Sequence, residues 1–163
     1  MQARQSPAPT AAGRVLCPRC RAVNRLPPDK PAAKAKCGSC REPLFAGRAI
    51  PVDEAGFELH LRRDEIPILV DMWAPWCGPC RAMAPMFEQA ARNLEPEMRL
   101  LKLNVDEAPQ TASRLGVQGI PALYLFREGR VLARTTGLQN AETIQRWARA
   151  HLAAPANAQG DLR

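Results

Sequence analysis

The sequence predicts an α/β protein with a mixed β-sheet and a small N-terminal module held together by cysteines. From residue 50 onward, strand-type apolar runs alternate with helical periodicity, which indicates a parallel strand–helix–strand unit. Two strands joined by a short turn follow, and they add antiparallel pairing to the sheet. Four of the six cysteines lie before residue 41, ahead of any sizeable apolar set.

Charge and composition narrow the class of protein. The 163 residues carry a net charge of +7, but residues 1–50 contain ten Lys or Arg against two acids, whereas the remainder contains thirteen against fourteen. The positive excess in residues 1–50 indicates either a solvated basic segment, the commoner case, or a contact with nucleic acid or an acidic partner. No apolar run approaches the roughly 18 residues of a membrane span. The first ten residues lack the apolar core of a secretory signal, so we expect a cytoplasmic protein.

The N-terminal cysteines have the spacing of a zinc site. Residues 1–13 read as a disordered tail, and residues 14–45 form what we call the four-cysteine module. Its pattern, C-x2-C-x16-C-x2-C, predicts one structural zinc ion about 2.3 Å from each sulfur. The ligands would be Cys17, Cys20, Cys37 and Cys40.

Two features of the module follow from that reading. Gly38 is expected to supply the positive φ that such turns often need. The few apolar residues could not form an independent core, so metal binding would have to supply the folding free energy.

Two alternatives to a structural zinc site stay open, namely two disulfides in an oxidising compartment and a redox-sensing or nucleic-acid-binding zinc site.

Residues 46–152 form the main domain. A connector over residues 41–50 ends in a short strand, and Asp53 is expected to cap a helix over Glu54–Arg63. The run Ile68–Trp73 is almost continuously apolar, which predicts a strand covered on both faces. Asp71 interrupts that run. A carboxyl group buried there should have a raised pKa or contact a cation.

A second type of cysteine pair follows this strand, in the stretch Trp76-Cys77-Gly78-Pro79-Cys80. The strand-to-helix context places Cys77 at a helix N-terminus, where unpaired N–H groups and the helix dipole favour a thiolate. Pro79 falls in the first turn, where its missing N–H costs nothing. We expect this helix to continue to about Leu94.

The remaining elements complete the sheet. Residues 98–106 read as a strand in which Lys102 could pair with Asp71, and residues 109–115 as a helix. Strands over 122–126 and 130–135 are joined by a tight turn. Asn140 caps a last helix, and residues 153–163 read as a frayed tail.

Several motifs together resemble the thioredoxin family over roughly residues 50–152. They are Val70-Asp71-Met72-Trp73-Ala74, Trp76-Cys77-Gly78-Pro79-Cys80, Lys102-Leu103-Asn104-Val105-Asp106 and Gly119-Ile120-Pro121, in the family's order and spacing. The four-cysteine extension most resembles the zinc-containing branch represented by bacterial thioredoxin 2. The resemblance implies the thioredoxin fold, a central mixed sheet flanked by helices.

The resemblance also implies roles for individual residues. Cys77 would be the attacking nucleophile and Cys80 the resolving thiol. Asp71 would be the buried proton acceptor, with Lys102 as its ion-pair partner. Pro121 would follow a cis peptide bond and face the cysteines. The substrate-binding surface would comprise Trp76, Gly78, Pro79, Gly119, Ile120, Pro121 and Gly137.

The implied function is that of a thiol–disulfide oxidoreductase, a protein-disulfide reductase. It would reduce disulfide-containing client proteins and be re-reduced by an NADPH-dependent thioredoxin reductase, as a monomer. A redox-active disulfide and one zinc ion are expected, with no bound organic cofactor, no membrane and no nucleic acid. The alternative is a zinc-ribbon module that recruits nucleic acid or an acidic partner, with the main domain as a passenger. Regulation of the redox site through zinc release is a third hypothesis.

Overall fold

The computed structural model describes residues 13–153. The tails predicted at the two ends lie outside these residues, apart from Gly13 and Ala153, which belong to regular elements. No helix among the described residues is long and apolar enough to cross a membrane.

Seven strands and four α-helices make up the described chain. The strands are β1 (Gly13–Leu16), β2 (Val23–Leu26), β3 (Ile50–Val52), β4 (Ile68–Trp73), β5 (Arg99–Asn104), β6 (Ala122–Arg127) and β7 (Arg130–Thr136). The helices are α1 (Glu54–Arg63), α2 (Gly78–Leu94), α3 (Pro109–Leu115) and α4 (Ala141–Ala153), with a short 3-10 turn at Ala32–Lys34.

The main sheet confirms the predicted mixed topology. Its strand order is β3-β5-β4-β6-β7. Strands β3, β5 and β4 are parallel, β6 runs antiparallel to β4, and β7 runs antiparallel to β6. A separate two-stranded sheet pairs β1 with β2 in the four-cysteine module. The structure is therefore a thioredoxin fold with an N-terminal module.

Strand β4 lies in the middle of the main sheet because both of its faces are apolar. Leu69 packs in a core cluster with Phe87 of α2 and Ile144 of α4. Val70 points to the opposite face, where it packs in a second cluster with Phe57 of α1. Successive side chains of a strand alternate between faces, so one continuous apolar run serves both cores.

The predicted helix starts and bounds agree closely with the structure. Asp53 accepts a hydrogen bond from Gly56 N at 2.7 Å, and Asn140 Oδ1 accepts one from Thr143 N at 2.8 Å. These side chains satisfy N–H groups that have no partner inside their helices. Strand β5 is shorter than predicted because the side chain of Asn104 bonds the N–H of Asp106 at 3.0 Å and turns the chain.

The four-cysteine module shares a core with the main domain. Leu26, Leu44 and Phe45 are buried together with Ile66, which lies two residues before β4 of the main sheet. Metal binding is therefore not the only source of the module's folding free energy, contrary to the expectation from the sequence. Burial of apolar surface against the main domain contributes as well.

A fully buried arginine joins the two parts of the chain. Arg99, the first residue of β5, donates from Nη1 to Leu44 O at 2.7 Å and from Nη2 to Leu16 O at 3.1 Å. Its guanidinium carbon also lies 4.5 Å from the centroid of the Phe45 ring. The fork geometry of the guanidinium lets one side chain satisfy carbonyls from both ends of the module.

Two buried carboxyl groups balance this cation. Glu95 Oε2 lies 3.3 Å from Arg99 Nη1, and its other oxygen accepts from Gly47 N at 2.7 Å. Burial raises the pKa of Glu95, while Arg99 and the Gly47 N–H oppose the rise. Asp64 accepts from Leu16 N at 2.7 Å and lies 2.6 Å from His60 Nδ1. The module thus docks through a buried polar network as well as through apolar contacts.

We predict that Arg99→Ala lowers the free energy of unfolding by about 3–5 kcal/mol. The change leaves buried carboxylates without their cation and two carbonyls without a donor. Urea denaturation of the full chain, followed by circular dichroism, measures the effect.

Arg146→Ala is the matched control, because Arg146 is exposed on α4 and its contact with Glu142 is 3.9 Å long. Its effect should stay within about 0.5 kcal/mol. Equal effects of the two changes would contradict a docking role for Arg99.

Candidate active site and metal centre

The sulfur of Cys77 caps helix α2. Cys77 has extended backbone angles, and its Sγ accepts a hydrogen bond from Cys80 N at 3.2 Å. Pro79 occupies the first turn, as expected. Cys77 and Cys80 form a disulfide. In the reduced form, the same N–H and the positive end of the helix dipole would stabilise a thiolate on Cys77.

The disulfide lies at the edge of a small apolar cluster. Both cysteines are buried together with Ala74, and Trp73 and Ile120 pack against the group. Trp76 is instead 68% exposed. The pair is therefore largely buried, whereas Trp76, the residue before Cys77, is exposed to solvent.

Asp71 is buried within β4, the strand that leads to the cysteine pair. It is 1% exposed, and neither carboxyl oxygen has a hydrogen-bond partner among the described residues. Burial raises the pKa of Asp71 to about 7, and the charge of Lys102 opposes this rise. A carboxyl group with such a pKa can both accept and release a proton near neutral pH.

Lys102 lies beside Asp71 in the register of β4 and β5. The two side chains form no salt bridge within 4.0 Å among residues 13–153, so the expected ion pair is not a direct contact. The Nζ atom instead lies 5.0 Å from the centroid of the Trp73 ring. Because Trp73 holds the ammonium at this position, Lys102 affects Asp71 through its charge at longer range.

The loop before β6 faces the cysteine pair. The Ile120–Pro121 peptide bond is cis, the isomer expected from the sequence. Ile120 O lies 3.8 Å from Cys77 Sγ. Gly137 has φ of 101° and donates its N–H to Pro121 O at 2.9 Å, which ties the end of β7 to this loop. Gly119, Ile120, Pro121 and Gly137 are thereby brought together next to Cys77.

Three residues around the disulfide site were not predicted from the sequence. Asp106 accepts a hydrogen bond from Trp76 Nε1 at 2.9 Å, and Arg81 Nη1 donates to Pro75 O at 3.1 Å. Leu138, next to Gly137, is 56% exposed. Asp106 lies inside a motif that was singled out, but its partner is 30 residues away. The exposure of Leu138 carries no sequence signal.

The four N-terminal cysteines converge on one point. Their sulfur atoms all lie within 4.8 Å of one another. Two pairs are closer, Cys17–Cys40 at 3.6 Å and Cys20–Cys37 at 3.5 Å. Sulfurs placed 2.3 Å from a tetrahedral zinc ion would be about 3.8 Å apart. The donor set and its spacing therefore fit zinc.

Local hydrogen bonds prepare one of these sulfurs to bind metal as a thiolate. The backbone N–H of Cys40, followed by the side chain of Asn24, lowers the pKa of Cys37 to about 6. Asn24 Nδ2 lies 3.4 Å from Cys37 Sγ, and Ser39 N lies 3.3 Å from it. These donors orient the sulfur that would bind the metal.

The expected positive φ at Gly38 is wrong. In the two cysteine turns, positive φ is found at Arg21, at 65°, and Arg41, at 69°, each directly after the second cysteine of its pair. Their N–H groups donate to Cys17 O at 3.0 Å and Cys37 O at 2.9 Å, which closes each turn directly after its second cysteine. Gly38 instead donates its N–H to Asn24 Oδ1 at 2.9 Å.

The fold and the helix-capping disulfide define a class of protein, the thiol–disulfide oxidoreductases built on the thioredoxin fold. The helix N-terminus at Cys77 suits reversible dithiol chemistry rather than a structural cross-link.

Comparisons with known proteins give the family. The thioredoxin family model matches residues 48–150, and the model of the thioredoxin 2 N-terminal zinc ribbon matches residues 16–42. Thioredoxin C-3 of Corynebacterium nephridii is 33% identical over 133 residues, 82% of this chain and 91% of that protein. The thioredoxin of Synechocystis sp. is 42% identical over 93 residues, 57% of this chain and 87% of that protein.

A solved structure agrees with this assignment. Chloroplastic thioredoxin z superposes with a TM-score of 0.60 at 25% identity, covering 66% of this chain and 96% of that one. The chain belongs to the thioredoxin family and has the N-terminal domain of thioredoxin 2. It is a thioredoxin-type protein-disulfide reductase whose active site is the Cys77–Cys80 pair.

We predict that Asp71→Asn raises the free energy of unfolding by about 2–4 kcal/mol at pH 8.5 and changes it little at pH 4. The carboxyl group has a pKa of about 7 when folded and an ordinary value of 3.8. The folded wild-type chain therefore retains a proton that the unfolded chain releases, and it loses stability as the pH rises from about 4 to about 7. Urea denaturation at several pH values measures the difference.

Asp29→Asn, in an exposed turn of the module, is the control. Its effect should be the same at both pH values. A pH-independent effect of Asp71→Asn would contradict the raised pKa.

Proposed function

We propose that Cys77 is the nucleophile in the reduction of client disulfides. Its thiolate attacks one sulfur of the client, so that a Cys77–client disulfide forms and the client S–S bond breaks, with release of a client thiolate. The observation that carries this proposal is the position of Cys77 Sγ as the N-cap of α2, with the N–H of Cys80 3.2 Å away. The unpaired N–H groups of that first turn stabilise the attacking anion.

Cys80 completes the reaction. Its thiolate attacks Cys77 Sγ, which forms the internal disulfide and releases the second client thiolate. The client disulfide gains two electrons and the dithiol loses them. Asp71 accepts the Cys80 proton, since its carboxyl group is buried in the strand that leads to the pair and has a pKa of about 7. Lys102 moderates that pKa from its place over Trp73.

The client would lie over the Cys77–Cys80 disulfide, between Trp76 and the loop at Ile120. The loop at Ile120 provides backbone groups next to Cys77, and Trp76 provides an exposed apolar wall. Leu138 adds a second exposed apolar side chain to this surface. The proposed client-binding residues are Trp76, Gly78, Pro79, Gly119, Ile120, Pro121, Gly137 and Leu138.

The four-cysteine module would hold one structural zinc ion. We propose residues 14–45 as this module and residues 46–152 as the thioredoxin domain. Cys17, Cys20, Cys37 and Cys40 would supply four thiolates, and the bound metal would cross-link the two turns that carry them. The role of the site is structural, because Leu16 and Leu44, which lie close to these turns, are the residues whose carbonyls Arg99 binds.

The redox cycle also defines the partners. Disulfide-containing proteins would be the clients, and an NADPH-dependent thioredoxin reductase would return the Cys77–Cys80 disulfide to the dithiol. We propose that the chain acts as a monomer in the cytoplasm. A reducing compartment would also keep the four zinc-binding cysteines as thiolates.

We predict that Cys77→Ser lowers the rate of insulin reduction at least about a thousandfold, because a serine hydroxyl cannot replace the thiolate. Consumption of NADPH in the presence of thioredoxin reductase measures the rate. Cys80→Ser should instead trap a mixed disulfide at Cys77, detectable by mass spectrometry. Retention of turnover by Cys77→Ser would contradict the mechanism.

We predict one zinc ion per chain and two rapidly alkylated thiols in the reduced protein. Native mass spectrometry counts the metal, and iodoacetamide labelling counts the free thiols. Cys20→Ser should lose zinc, whereas Cys77→Ser should retain it. Loss of zinc in both variants, or in neither, would contradict the division of the six cysteines into four ligands and one redox pair.

A further inference from the structure

We propose that a pocket beside the client-binding loop accepts an acidic side chain of the client, with Arg134 as the recognising cation. The inference rests on the proposed function, since it assumes that the client lies against Ile120. It adds a preference for clients that carry Asp or Glu close to the disulfide.

The pocket lies between the loop after α3 and the edge strand β7. It has a volume of about 620 Å³. A single charged residue, Arg134, is found among the described residues that line it. These residues are Gly116, Gln118, Gly119, Tyr124, Arg134, Thr135 and Thr136.

The pocket begins where the client-binding loop begins. Gly119 lines the pocket and is bonded to Ile120, whose carbonyl oxygen lies 3.8 Å from Cys77 Sγ. Consecutive Cα atoms are about 3.8 Å apart, and residues of an extended client advance about 3.3 Å each. A client segment that passes Ile120 would therefore bring a side chain to the pocket within two or three residues of its own cysteine.

Register places the arginine on the pocket side of the sheet. Arg134 is paired with Tyr124, and Thr136 with Ala122, across β6 and β7. Paired residues point to the same face of a sheet. Tyr124 is buried and donates its hydroxyl to Leu115 O at 3.3 Å, so it forms a fixed wall. Strand β7 is at the edge of the main sheet, so no other strand of that sheet covers the side of the pocket where Arg134 lies.

The charge of Arg134 is not neutralised within the described part of the chain. Arg134 is exposed and forms no salt bridge with any described residue. Arg114, two residues before Gly116 in the chain, is paired with Glu58 and is thus already neutralised. Gln118 and Thr136 add side chains that can donate hydrogen bonds. A carboxylate accepts hydrogen bonds only and can bind a guanidinium in a bidentate manner, so it matches this set of donors.

Charge-swap kinetics test the proposal. Peptides with one cysteine, oxidised to symmetrical disulfides, carry Glu, Gln or Lys two and three residues before the cysteine in one set and after it in the other. For wild type, we expect kcat/KM to be about three- to fivefold higher for the Glu peptide than for the Lys peptide in one of the sets. Arg134→Glu should reverse this preference, and salt should weaken both preferences.

Arg130→Glu is the matched control. Arg130 is an exposed arginine on the same strand. It lies opposite Arg127, next to the hairpin turn, and does not line the pocket. It should keep the wild-type order of the peptides. Equal kcat/KM for the Glu and Lys peptides in wild type, or the same change in both variants, would overturn the proposal.

A second readout separates this proposal from the proposed function. Reduction of the small uncharged bis(2-hydroxyethyl) disulfide by wild type reports on the dithiol alone. Its absence would contradict the reductase mechanism, whereas its presence without a peptide preference would contradict only the acidic pocket. Reversal of the preference in Arg134→Glu also excludes misfolding, because a damaged structure would slow all peptides alike.

Discussion

The structure depends on the burial of strand β4 on both faces. Because Leu69 and Val70 pack into different cores, the strand has to occupy the middle of the sheet, with β5 and β6 as its neighbours. Its carboxyl end then leads directly to the Cys77 cap of α2. Its amino end follows Asp64 and Ile66, which contact the four-cysteine module. One buried strand thus fixes the redox site at one end and the module junction at the other.

Local sequence signals were sufficient for most of the main domain. The bounds of α1, β4 and α3 agree with the prediction because capping residues, prolines and apolar runs act over a few residues. The position of Cys77 followed from the same local signals. Contacts between distant residues could not be predicted in this way. Arg99 binds Leu16 O across 83 positions, and nothing in the residues around Arg99 distinguishes a buried arginine from an exposed one.

The chain uses the same Cys-x2-Cys spacing for two chemistries, and the surroundings separate them. Cys37 has Asn24 and backbone donors around it and three further sulfurs within 4.8 Å. Cys77 has one neighbouring sulfur, that of Cys80, and lies at a helix N-terminus. Four convergent sulfurs suit a metal, whereas two sulfurs at a helix start suit exchange. Spacing alone would not have distinguished them.

Docking through Arg99 also has a consequence for synthesis of the chain. The last module cysteine, Cys40, precedes Arg99 by 59 residues, so all four sulfurs emerge from the ribosome well before the side chain against which their module packs. At about 5–20 residues per second, that interval is about 3–12 s. During this time the nascent module lacks its buried cation. Early metal capture would then protect the thiols until the rest of the sheet is made.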